Sequence, residues 1–235
     1  MLKPALYLIP VALGEGDPGK VLPAHNVDVI LQLDEFIVEN ARSARRFLRS
    51  VGYKKDFDHV TFHLLNQHTD AMEVPEFIRS VKAGRAVGLL SEAGTPCVAD
   101  PGNLPVKLCH EAGLQVVPLT GPNSVVMALM ASGFNGQNFT FHGYLPVDKT
   151  ELRKKIKALE QQARRNDQTQ IFIETPYRNN KLFDALLEVC SARTHLCLAK
   201  NLTLDGEQIR TETIARWKSL KPDLHKQPCV FLIYK

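Results

Sequence analysis

The sequence predicts an α/β protein of two consecutive domains, the first built on a mostly parallel sheet and the second on a mixed one. Three observations in its 235 residues carry that prediction. Through residue 131, short apolar runs alternate with helical periodicities, which is the pattern of a parallel sheet covered by helices on both faces. Residues 87–102, VGLLSEAGTPCVADPG, read as a buried strand, a tight loop of small residues and the start of a helix. Beyond residue 200, apolar runs follow one another across short connections, which requires antiparallel pairs.

In chain order, residues 5–10 (ALYLIP) form a first strand that enters a loop, 11–20, holding Gly14, Gly16 and Gly19. That loop lacks both the Lys-Ser/Thr of a P-loop and an immediately following helix. A short helix over 25–31 and a strand over 35–39 come next. Residues 41–51 form an amphipathic helix with Arg42, Arg45, Arg46 and Arg49 at i, i+3, i+4 and i+7, either an anion grip or a solvated face. A strand over 60–63 precedes a helix over 74–82, stopped at Gly84. After the 87–102 segment the helix runs to 111, and a strand covers 115–119. Pro122 marks a helix start that Asn123 or Ser124 can cap. The helix over 125–131 is apolar all round and is expected to be buried between layers. The second half reads as a strand (139–142), a basic helix (149–165), a strand (169–174) and a helix (177–189). Two strands (195–200, 207–214), a short helix (216–220) and a last strand (229–234) complete it. No low-complexity linker and no repeat of 20–50 residues interrupts the chain. The economical division is 1–119 and 120–235.

Hydrophobic residues make up 44% and charged residues 23%, an ordinary globular balance. No apolar run approaches the roughly 20 residues that span a bilayer. The apolar N-terminus leads straight into a strand and lacks a signal-peptide cleavage site. Cys97, Cys109, Cys190, Cys197 and Cys229 are odd in number and scattered, with no CxxC pair. That pattern points away from a disulfide framework or a zinc site and towards a reducing, cytoplasmic setting. Net charge is +4, divided as −2 over residues 1–119 and +6 over 120–235. Part of the excess lies in LRKKIKALEQQARR (152–165), which is either a phosphate-binding face or a solvated one.

In open α/β sheets ligands bind outside the carboxyl ends of strands, where the 91–102 loop falls. Gly94 has no side chain, so backbone there can approach a small molecule closely. Ser91, Glu92, Thr95 and Asp100 add polar groups to the same loop. Taken alone, these residues also describe a glycine turn with helix-capping side chains.

Seven segments widen the picture: LIPVALGEGD (8–17), VENAR (38–42), HLLNQ (63–67), SEAGTPCVADPG (91–102), VPLTGP (117–122), IETPYR (173–178) and AKNLT (199–203). In this order, over essentially the whole chain, they resemble the tetrapyrrole methylase superfamily of S-adenosylmethionine-dependent methyltransferases. Within it the chain is most similar to the small-subunit ribosomal RNA 2′-O-ribose cytidine methylase group. SEAGTP…DPG together with VPLTGP is the specific part. The resemblance implies a homodimer with an S-adenosylmethionine cleft between its two domains. It places Glu92, Ala93, Gly94, Thr95 and Val98 around the methionine portion, with Asn123 and Ser124 at the interdomain turn. Glu174 and Leu202 would face the adenosine.

The acceptor-side motifs depart from the group more than the donor-side ones. Its DTR is Asn40-Ala41-Arg42 here, its HDHNE keeps only His63 and Asn66, and its RELTK is Lys200-Asn201-Leu202-Thr203-Leu204. The implied reaction is methyl transfer to RNA at a ribose hydroxyl. A tetrapyrrole-like small molecule as acceptor, or a non-catalytic relative that binds cofactor or RNA, are the alternatives. In-line displacement at a sulfonium needs no metal, and positioning supplies much of the rate. A ribose hydroxyl must also lose a proton, which makes Glu39, His63 and Glu92 the candidate bases. Arg42 or Arg178 can orient a phosphate bidentately, with Asn66 beside the substrate. Each has an ordinary structural role to set against this: Glu39 as a cap for the helix from Ala41, His63 as a satisfied strand-end histidine, Arg42 as a solvated side chain. The chain closes on its last strand, without the appended C-terminal domain of many ribosomal relatives, so its grip on RNA is expected to differ.

Overall fold

The computed structural model describes residues 2–235, and the chain divides into two compact units between Asn123 and Ser124. The first holds β1 (Leu6–Ile9), α1 (Ala24–Ile30), β2 (Glu35–Val38), α2 (Ala41–Ser50), β3 (Thr61–Leu64), α3 (Val74–Phe77), α4 (Arg79–Lys82), β4 (Val87–Leu90), α5 (Asn103–Glu111) and β5 (Val116–Pro118). Its sheet is parallel throughout, in the order β3-β2-β4-β1-β5.

That order sorts the helices. The chain steps to one side of β1 through α1 and α2, then back through α3, α4 and α5. Right-handed crossovers therefore place the first two helices on one face and the other three on the opposite face. The side chains follow with the two-residue period of strands. Tyr7, Ile9, Phe36 and Val38 pack with Val29, Ile30, Ala44 and Leu48, whereas Leu6, Ile37, Val87 and Leu89 pack with Val74, Phe77, Val81 and Cys109. Gly88 in β4 admits no side chain, because a Cβ there would lie 2.8 Å from Ile9 Cδ1 and 2.9 Å from Phe36 Cδ1.

The second unit holds α6 (Ser124–Ser132), β6 (Phe139–Tyr144), α7 (Lys149–Asn166), β7 (Thr169–Ile173), α8 (Asn179–Val189), β8 (His195–Lys200), β9 (Gln208–Thr213), α9 (Ile214–Leu220) and β10 (Cys229–Tyr234). Its sheet runs β6-β7-β10-β8-β9, with β6 and β7 parallel and the remaining pairs antiparallel. Phe172, Phe231, Ile233, Leu196 and Leu198 meet Ile156 and Leu159 of α7, Phe183 and Leu186 of α8, and Trp217 of α9. Helix α6 packs against β8, β9 and β10.

The fold corrects three sequence expectations. The helix over 74–82 is two short helices, broken at Ile78 (φ −100°, ψ 4°). Neither has a side-chain cap, and burial of Val74, Phe77, Ile78 and Val81 holds both turns without a continuous ladder. Helix α6 is not buried all round: Val125, Ala128 and Leu129 face the sheet, while Met130 is 78% exposed. Its uniform apolarity hid the fact that only one side meets a partner. Helix α8 begins at Asn179 rather than 177, because the Arg178 N–H first closes a turn on the Thr175 carbonyl.

All five cysteines are free, and all but Cys97 are buried. Among the described residues no helix is long and apolar enough to cross a membrane, and no group of three His, Cys, Asp or Glu side chains could hold a metal.

Candidate active site

The parallel sheet gathers its carboxyl-end loops on one edge, and the 91–102 loop leaves its central region after β4. Gly94 shapes this loop. It sits at φ +73°, where a Cβ would stand 3.0 Å from Leu13 Cδ2 and 3.2 Å from the Pro122 carbonyl. Its own N–H and C=O pair with the Val11 carbonyl and N–H at 3.2 and 2.9 Å, and the Ser91 hydroxyl donates to its carbonyl at 2.6 Å. Gly94 thus joins the loop after β4 to the loop after β1, while its neighbours Glu92 and Ala93 remain exposed. Thr95 Oγ1 accepts from Asn123 Nδ2 at 2.6 Å, which ties in the loop after β5.

Farther along, Cys97 (φ 68°) and Ala99 (φ 60°) both occupy the left-handed region, which costs a non-glycine residue about 1–3 kcal/mol. Asp100 holds that bend, its Oδ1 accepting from the N–H groups of Cys97 and Gly102 at 2.7 and 2.9 Å. Between the two left-handed residues, Val98 is turned outward, 43% exposed.

Glu39 follows β2 and lines a small hollow with Ile37, Val38, Leu65, Leu89, Leu90, Asp100, Pro101 and Gly102. Burial among these apolar walls, then the nearby carboxylates of Asp100 and Glu92, raise its pKa to about 7. Burial raises Asp100 as well, against the two N–H groups that stabilise its charge. Glu39 does not cap α2. Asn40 does, accepting from the N–H groups of Arg42 and Ser43 at 2.8 and 3.3 Å. Asn40 thus supplies a capping oxygen at the position where the ribosomal group carries aspartate. Ser43, one turn into α2, donates to Glu92 Oε1 at 2.6 Å and fastens the helix start to the loop.

The structure therefore brings together Glu39, Glu92, Gly94, Thr95, Asn123 and the first turn of α2, which carries Arg42. It holds His63 elsewhere: Nε2 lies 2.8 Å from Glu35 Oε1, the ring stacks on Phe77 at 4.9 Å, and Arg85 reaches the same carboxylate at 3.4 Å. Glu35 opens β2, at the amino end of the sheet. The Asn66 side chain accepts from the His68 N–H and shapes the 66–69 turn. In the second unit, Glu174 follows β7, is nearly buried, accepts from the Thr175 N–H at 2.7 Å and forms an ion pair with Arg178, Nη2 to Oε2 at 3.0 Å. Leu202, buried, lies in the loop after β8 between Asn201 and Thr203, both at positive φ. Ser124 opens α6. Sequence reasoning missed Ser43 and the structural role of Asp100. Asp100 was visible as a turn-forming Asp-Pro-Gly, whereas Ser43 carried no signal, since its partner lies 49 residues away.

Comparison with known proteins agrees with this fold. The profile of the tetrapyrrole (corrin/porphyrin) methylases matches residues 7–217. The chain is 30% identical over 235 residues to ribosomal RNA small subunit methyltransferase I of Vibrio cholerae, spanning 98% of this chain and 77% of that one. Its namesake in Bacillus subtilis is 30% identical over 210 residues, spanning 89% and 68%. Among solved structures, the methyltransferase CobJ superimposes with a TM-score of 0.64 at 15% identity, covering 98% of this chain and 94% of that one. Uroporphyrin-III C-methyl transferase from Thermus thermophilus, complexed with S-adenyl homocysteine, superimposes with a TM-score of 0.57 at 15% identity, covering 98% and 97%. A profile match over nearly the whole chain, on two α/β units of the same architecture, makes this protein a member of the tetrapyrrole methylase family and an S-adenosylmethionine-dependent methyltransferase.

Proposed function

We propose that the protein methylates a ribose 2′-hydroxyl of small-subunit ribosomal RNA, acting as a homodimer in the cytoplasm. The relatives that share almost its full length support the RNA acceptor. The observation that carries the chemistry is Glu39, a carboxyl raised to about 7 beside the 91–102 loop.

The first unit's residues fit the donor. Three carboxyl groups (Glu39, Glu92 and Asp100) complement a cationic sulfonium, and Gly94 holds open a bend that a Cβ would crowd. When bound, S-adenosylmethionine supplies an electrophilic methyl group. Glu92, Ala93, Gly94, Thr95, Val98 and Asn123 are the residues that would hold its methionine portion; of the second unit, the family resemblance assigns Ser124 to the same portion and Glu174 and Leu202 to the adenosine. Glu39 accepts the hydroxyl proton on its carboxylate as the acceptor oxygen attacks, since a base with a pKa near the working pH serves best. Glu92, oriented by Ser43, stabilises positive charge beside it. Arg42 faces the acceptor's phosphate, while Arg178 keeps Glu174 in place and Asn66 shapes the turn at the substrate edge.

The test is transfer of labelled methyl from S-adenosylmethionine to small ribosomal subunits from a strain lacking this protein. Label that enters RNA and resists base removal but follows the ribose is the expected result. Absence of label in RNA, with donor binding intact, would overturn the RNA acceptor and direct the search to small molecules.

A further inference from the structure

Helix α2 carries four arginines, and the structure separates them into two pairs. The Arg45 guanidinium lies against the rings of Phe57 and Phe62, at 5.6 and 5.3 Å from their centroids. Arg49 sits 4.0 Å over Phe57, and its Nη1 donates to the carbonyls of Tyr53 and Lys55. Both groups are engaged in holding the end of the helix to the loop that follows. All four side chains reach the surface, but only Arg45 and Arg49 make these ring and carbonyl contacts. No ion pair of Arg42 occurs among the described residues. Arg46 reaches only Glu15 Oε1 at 3.8 Å, between side chains 67% and 98% exposed. Such a solvated surface contact is weak and yields readily to a stronger anion.

Position gives this second pair its meaning. Arg42 and Arg46 stand one turn apart on the same helix face, about 6 Å along the axis. The start of that helix is fastened to the acidic site by the Ser43–Glu92 hydrogen bond, and Asn40, its cap, directly follows Glu39. A polyanion whose hydroxyl enters among Glu39, Glu92 and Asp100 meets repulsion for its phosphates there. The strand on either side of that hydroxyl must leave the carboxylates, and Arg42 and Arg46 line a path away from them. Guanidinium forks match phosphate oxygens bidentately, which a solvated lysine would not do.

We infer that Arg42 and Arg46 hold two successive phosphates of the RNA strand leading from the methylated nucleotide, with Arg45 and Arg49 serving only to brace the helix. This rests on the RNA acceptor proposed above. Glu15 is the built-in competitor for Arg46, displaced when RNA binds.

The experiment titrates the full chain with purified small-subunit ribosomal RNA between 50 and 200 mM salt, for wild type, Arg42→Ala, Arg46→Ala, the double variant and Arg79→Ala. Arg79 lies on α4, on the opposite face of the sheet, paired with Glu76. Each phosphate contact removed should lower the slope of log affinity against log salt by about one. The expected losses are therefore about one for each single variant and about two for the double, with Arg79→Ala at the wild-type slope. Donor affinity measured by calorimetry should be unchanged in all of them, which also shows that they fold. A wild-type slope in the double variant would overturn the inference, as would an equal loss in Arg79→Ala, which would indicate a diffuse positive field. Wild type is first assayed for methyl transfer to the same RNA. Failure there removes the RNA acceptor and this inference with it, whereas transfer with an unaltered double-variant slope removes this inference alone.

Discussion

Glu39 concentrates the residue-scale chemistry of the site. Its ordinary pKa of 4.5 is raised to about 7 by burial first and by Asp100 and Glu92 after it. Because the folded state binds that proton more tightly than the unfolded chain, the group's contribution to stability is complete below about pH 4.5 and is lost as pH rises through 7. The side chain is only half-buried, so after allowing for solvent screening the loss amounts to about 1 kcal/mol. Glu39→Gln should therefore melt like wild type at pH 4.5 and higher than wild type at pH 8, and a thermal-melting series across that range checks it. In the methyl-transfer assay, wild-type turnover should climb through pH 7 as the carboxylate forms. The Gln variant should be slower by about 10²–10⁴-fold without that climb. Equal rates in the two proteins would remove Glu39 as the base. Gly94 makes a simpler case. Gly94→Ala places a Cβ at φ +73° against Leu13 and the Pro122 carbonyl. The substitution should cost about 1–2 kcal/mol and weaken donor binding in calorimetry.

Elements of this protein matter chiefly through their ends. Helix α2 starts where Asn40 caps it, and through Ser43 that start holds Glu92. Asn40→Ala should lower unfolding free energy by about 1 kcal/mol, read from denaturant midpoints, and loosen the loop. The replacement of the ribosomal group's aspartate by Asn40 looks like erosion in the sequence, yet Asn40 has a defined role as the cap of α2. His63 runs the other way. It is a candidate base by its place in the segment that resembles HDHNE, but its ring is engaged by the Glu35 carboxylate and stacked on Phe77. The four arginines of α2 share one helical face in sequence, and only the placement of Phe57, Phe62 and the 53–55 carbonyls divides them into braces and a pair that makes no such contact.

Across the whole molecule, two sheets of different topology each bury a core, and four of the five cysteines lie inside those cores. Burial raises the Cys190 thiol to about 12, with Glu160 adding to it, and the Cys197 thiol to about 11. Cys97, in the bend of the 91–102 loop, is raised to about 11 by burial and then Asp100. Almost no thiolate exists near neutral pH. Alkylation at pH 8 should therefore be slow in the native protein and reach all five thiols only in denaturant, as mass spectrometry would show. Fast native labelling of Cys97 would mean that its bend opens. The alternation of strands and helices, the two-residue and 3.6-residue periods, and the glycine loop after β4 were legible in the sequence because each depends on local backbone preference and on which side chains avoid water. The same local signals overran at residues 74–82 and at α6, where the tertiary partner, and not the spacing, decides how far a ladder runs or which apolar face is covered. What the chain determined by itself was its strand–helix order, its family and the glycine loop after β4. Tertiary structure alone decided the proton affinity of Glu39, the Ser43–Glu92 tie and the placing of His63. Those depend on burial and on charges brought together from residues far apart in the chain, and no local pattern encodes such distances.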